Sequence, residues 1–132
     1  MTGPAEVRAD DAGSAVVGFV LVAVLVTAMF LGVVQVAVAL HVRSTLVDCA
    51  AEGARLAARS DRSLGDGEQR ARDLITQSLS SGYAGQVSAR YTQAADARLV
   101  EVTVTAPVPV IGLWGPSSLL TVEGHALVEE IL

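Results

Sequence analysis

From Ala12 to Leu40 the sequence carries no charged residue, the chain has a single cysteine, Cys49, and all nine basic residues are arginine. Each scarcity excludes something. One cysteine rules out an intramolecular disulfide and any cysteine-based zinc site. Scattered arginines form no basic patch, so nucleic-acid binding is not expected. His41 and His125 lie far apart in sequence, with no carboxylate or cysteine read at ligand spacing, so no metal or other cofactor is expected. A Ser/His/Asp set with suggestive context and a glycine-rich phosphate loop are both missing, and the chain reads as a non-enzyme. Gly65-Asp66-Gly67 reads as a turn and Glu129-Glu130 as a solvated pair. Cys49 reads as a small buried residue, with an intermolecular disulfide as the alternative.

What is present is hydrophobic length. In the uncharged run the clearly polar side chains are Ser14, Thr27 and Gln35. A helix needs about 20 apolar residues to cross a bilayer, and this run exceeds that. It is too long, and its flank Glu6-Val7-Arg8-Ala9-Asp10-Asp11 too acidic, for a removable secretory signal. Net charge is −2 over residues 1–13, +1 over 41–60 and −4 over 61–132. The expected organisation is a polar leader at 1–13, a membrane helix at 14–40 capped by Ser14, its continuation at 41–60, and a small α+β domain at 61–132. Arg8 stands on one side of the run and Arg43, Arg55 and Arg59 on the other. This distribution does not by itself set the orientation, and the positive-inside rule leans toward a cytoplasmic C-terminal side.

Beyond the run, Leu46, Cys49, Ala50, Gly53, Leu56 and Ala57 fall on one helical stripe, with Asp48, Glu52, Arg55 and Arg59 opposite. Residues 60–67 read as a turn. A second helix is expected from about Glu68 to Ser80, burying Ala71, Leu74, Ile75 and Leu79 and stopped by Gly82. Val87, Ala89 and Tyr91 alternate with polar residues, as do Val100, Val102, Val104 and Ala106, which predicts two strands joined by a hairpin at 94–97. Pro107 and Pro109 end the second strand. A third spans about Leu119 to Val128. The fold expected is a long N-terminal helix leading into one further helix and a three-stranded antiparallel sheet, with the stripe at 46–57 covering that sheet. The apolar loop containing Val110, Ile111, Leu113 and Trp114 has two readings, a flap over the sheet edge or an exposed patch for a partner or the membrane surface.

The string Gly13-Ser14-Ala15-Val16-Val17-Gly18-Phe19, the uncharged helix behind it and the later Ala50-Ala51-Glu52-Gly53-Ala54-Arg55 resemble TadE-like proteins, the pilin-like minor components of the tight-adherence pilus system. The resemblance runs from about Gly13 onward. It implies a pilin-type membrane subunit with a cytoplasmic leader, cut by a prepilin peptidase between Gly13 and Ser14, and an extracytoplasmic C-terminal domain. Its partners would be membrane lipid and other pilus or secretion-system subunits, in a hetero-oligomer. The family usually has a glutamate before the aromatic residue at the start of the helix. Here Phe19 supplies the aromatic and Gly18 stands in place of the glutamate. A buried carboxylate of that kind would pair with a neighbouring subunit's terminal amine, and that contact is not available to Gly18. Glu52 and Arg55 read as a solvated pair, with an intersubunit contact as the alternative. The rival functional reading is a membrane-anchored binding or sensor domain that never enters a fibre.

Overall fold

A computed structural model describes residues 5–109 and 119–130, with side chains from residue 10 onward. The elements are α1 (Ala5–Ala57), α2 (Leu64–Ser78), a 3-10 turn (Ser81–Tyr83), β1 (Gln86–Ala94), β2 (Ala97–Pro107) and β3 (Leu119–Leu127). The α+β class, the second helix and the three-stranded antiparallel sheet are as the patterning predicts. The chain divides into two units, Met1–Ala37 and Val38–Leu132.

In the first unit α1 is already helical at Ala5, so Ser14 is not its N-cap. Between Ala5 and Ser14 the sequence holds no proline and several alanines, so nothing in it stops the helix from extending ahead of Ser14. From Ala15 to Val33 the apolar side chains are exposed, Phe19 at 76% and Leu25 at 69%. Among the described residues, α1 is the one helix long and apolar enough to cross a membrane.

The second unit is built on the last turns of α1. Val42, Leu46, Cys49, Ala50, Ala54, Ala57 and Ala58 are buried in one core with Ala71 and Ile75 of α2 and the valines of the sheet. The expected stripe is shifted slightly. Ala54 and Ala58 sit inside it, and Leu56 is only half-buried on its flank. Strand order is β1-β2-β3, antiparallel throughout. The registers bring inward-facing residues into rows: Val87, Val104 and Val122; Ala89, Val102 and Gly124; Tyr91, Val100 and Ala126. Val100, Val102 and Val104 are fully buried, each contributing on the order of 1.5–3 kcal/mol of apolar burial.

Both ends of α2 also differ from expectation. α2 starts at Leu64, within the segment read as a turn, because Ser63 caps it. The Ser63 hydroxyl accepts from the Asp66 N–H (3.2 Å) and the Asp66 carboxylate accepts from the Ser63 N–H (2.9 Å). That reciprocal box satisfies two otherwise orphan donors and overrides the low helix propensity of Gly65 and Gly67. α2 also ends at Ser78, ahead of Gly82, which lies in the 3-10 turn. The hairpin between β1 and β2 turns through Ala95 and Asp96 alone.

Candidate functional site

Two groups of residues in the second unit carry whatever chemistry this domain offers. One is the Ala50–Arg55 element of α1, and the other is the row of charged side chains on the outer face of the sheet.

The small residues of the element are explained by close packing. A Cβ added to Gly53 would lie 2.6 Å from the Gly67 carbonyl oxygen and 2.9 Å from the Ala71 Cβ. A Cβ on Gly67 would lie 2.5 Å from that of Ala57 and 2.6 Å from the Gly53 carbonyl oxygen. The two glycines therefore let α1 and α2 touch backbone to backbone. On the other side of α1, a Cβ on Gly124 of β3 would collide with the backbone of Ala50 and Ala51. Ala50 and Ala54 are fully buried in the same contact zone. The polar members of the element stay in water. Glu52 and Arg55 form a 3.5 Å ion pair with side chains 46% and 71% exposed, and such a pair is worth little.

The outer face of the sheet brings Arg90, Glu101 and His125 into one row, because Glu101 is the register partner of both neighbours. Glu101 is buried among them, its side chain 7% exposed. The Arg90 Nε donates to Glu101 Oε1 (2.6 Å) and the His125 Nε2 lies 2.9 Å from Glu101 Oε2. The hydrogen bond from His125, followed by the Arg90 guanidinium, holds the Glu101 carboxyl below the usual glutamate range against the opposing effect of burial. Glu123 adds a third donor: one ligand atom each from Glu101, Glu123 and His125 lies within 4.8 Å of the others. These are the side chains that could hold a metal ion. With both Glu101 oxygens already engaged, an ion would have to displace His125 from Oε2. The grouping escaped the sequence because the carboxylates reach His125 from the next strand and from two positions along its own, a period-two spacing that is meaningful only once the strand and its register are known.

The free edge of β1 is covered by side chains of α2. Arg72 Nη2 donates to the Val87 carbonyl and Glu68 Oε1 accepts from the Ala89 N–H, both at 2.9 Å. At the opposite side of the sheet a groove of about 480 Å³ is lined by Arg55, Ala58, Arg59, His125, Leu127 and Glu129.

Gly13, Ser14, Gly18 and Phe19 all lie within α1, and nothing stands within 4 Å of a Cβ built on Gly13 or Gly18. Cys49 is free and buried. The loop residues Val110, Ile111, Leu113 and Trp114 lie outside the described residues.

No curated protein and no solved structure matches the chain. A family model described as TadE-like protein does, over residues 13–55. From the Gly13-Ser14 pair to the end of the Ala50–Arg55 element, this chain is similar to the TadE-like proteins, the family its residues resemble.

Proposed function

We propose that the protein is a TadE-like, minor pilin-type subunit of a tight-adherence pilus or a related secretion assembly. The observation that carries this reading is the TadE-like match over residues 13–55, which falls on an uncharged helix able to cross a membrane. The anchor is residues 14–40, and the C-terminal α+β domain is extracytoplasmic. The leader is cytoplasmic and is removed by a prepilin peptidase between Gly13 and Ser14.

The Gly13–Ser14 bond lies in helical backbone, whereas a protease reads an extended chain. Gly13 lowers the cost of local unwinding, since glycine is about 1 kcal/mol poorer than alanine inside a helix. Gly18 supplies no carboxylate for a neighbouring subunit's amine. The subunit is therefore assigned to an initiating or accessory position, where that contact is not needed. Its partners are lipid along the exposed run and other subunits of the assembly.

Orientation is tested by labelling intact cells with a membrane-impermeant maleimide. A cysteine at Asp96, on the hairpin tip, in a Cys49→Ala background is expected to react without lysis. Reaction only after lysis would place the domain in the cytoplasm and refute the proposal.

A further inference from the structure

We propose that the free edge of β3 pairs with β3 of a second copy of this chain, antiparallel, about a two-fold axis at Gly124. The inference does not depend on cleavage of the leader.

The hydrogen-bond phase of the sheet says which backbone groups face outward. The Val128 N–H donates to the Arg98 carbonyl. In an antiparallel ladder bonded positions alternate, so the even-numbered residues of β3 bond to β2 and the odd-numbered ones face away. Carried across the register to β1, the same phase points Val87 and Ala89 outward at the other edge, where Arg72 and Glu68 take their backbone groups. One edge of the sheet is thus closed by the protein's own side chains. At the other, the outward groups of Thr121, Glu123, His125 and Leu127 have no partner among the described residues. Beyond them, the Glu129 N–H meets the Ala58 carbonyl at 2.9 Å. An unpaired edge is a template for another strand.

Charge selects the occupant and its register. Self-pairing joins outward groups only when odd residues stand opposite odd residues. A register centred on Glu123 or on His125 sets each against its own copy. The register centred on Gly124 sets Glu123 of each chain opposite His125 of the other, and Thr121 opposite the exposed Leu127. A carboxylate opposite an imidazole can take a hydrogen bond from it, whereas two carboxylates directly opposite repel. The groove that borders this stretch is lined by Arg55, Arg59, His125 and Glu129, so two guanidiniums and one carboxylate stand beside the incoming strand. The contact is self-complementary, as a two-fold interface requires. Gly124 at the axis adds no side chain where opposed residues come closest.

Disulfide trapping in the full-length protein tests the register. Differently tagged Glu123→Cys and His125→Cys chains are co-expressed in a Cys49→Ala background, purified in detergent micelles and oxidised. The expected result is a mixed disulfide in severalfold excess over either like-with-like product. Glu123→Arg, at a side chain with no ion pair of its own among the described residues, is expected to abolish the dimer seen by light scattering while leaving the circular dichroism spectrum unchanged. A monomeric wild-type chain, like-with-like disulfides at or above the mixed one, or an unaffected Glu123→Arg dimer would each overturn the proposal.

Discussion

Gly53 of α1 and Gly67 of α2 face each other so closely that a side chain on either would strike the other's backbone. Both are helical, where alanine would ordinarily gain about 1 kcal/mol over glycine. Here the sign reverses. The obstructing atoms are backbone, which cannot swing aside, and overpacking of this kind costs about 1–3 kcal/mol or more. Gly53→Ala and Gly67→Ala are each expected to destabilise the domain by about 2 kcal/mol net. Thermal or urea unfolding in micelles checks this, and an unchanged or raised midpoint would contradict the packing.

Gly124→Ala is expected to be more damaging. Its added carbon would overlap the backbone of Ala50 and Ala51, in the wall between helix and sheet. The helix cannot retreat without opening the contact with β2, so the loss should reach about 3 kcal/mol or more. Gly13→Ala, with open space around it, is the matched control and should not lower the unfolding midpoint, since an unobstructed alanine is favoured over glycine in a helix.

Ala95 holds a φ of 54° at the first of the two turn residues between β1 and β2. Glycine is the usual residue there, since it reaches positive φ without a Cβ penalty. Ala95→Gly should stabilise the hairpin by up to about 1 kcal/mol. A lower unfolding midpoint for that variant would refute this assignment of strain.

Stability should also fall at acid pH through identifiable groups. The folded-state pKa of Glu101 is depressed by His125 and then Arg90. A carboxylate depressed in this way contributes stability above its unfolded pKa, near 4.3, and that stability is lost as pH falls through the folded value. Asp66, depressed by its hydrogen bonds with Ser63, contributes with the same sign. Glu101→Gln should therefore flatten the acid limb without abolishing it, and cost about 1 kcal/mol at neutral pH. An acid limb identical to wild type would contradict the network.

Cys49 is buried, and its thiol pKa is raised by that burial and then by the Asp48 carboxylate. It should resist alkylation by iodoacetamide in the native protein at pH 8 and react fully after denaturation. Rapid native labelling would mean that α1 does not seal against the sheet.

The sheet was the most legible part of the fold. Val87, Val100, Val102, Val104 and Val122 announce its inner face by period two alone, and Pro107 marks where β2 stops. The helix boundaries were less so. The box between Ser63 and Asp66 works through two hydrogen bonds, whereas the Gly65 and Gly67 beside it suggest a turn. Gly53 and Gly124 showed why they are small only when Gly67 and the Ala50–Ala51 backbone came to face them across the fold. The Arg90–Glu101–His125 row needed the strand registers, which no local pattern states. The Ala50–Arg55 element was recognised by resemblance, and its packing supplies the physical reason for its composition.

The most direct test of the functional account is the intact mass of the protein purified from membranes of cells that also express a prepilin peptidase. The account predicts a chain beginning at Ser14, and a Gly13→Ala variant that keeps its leader. A wild-type mass that retains residues 1–13 in the presence of active peptidase would contradict the pilin-type reading and favour a membrane-anchored domain outside any fibre.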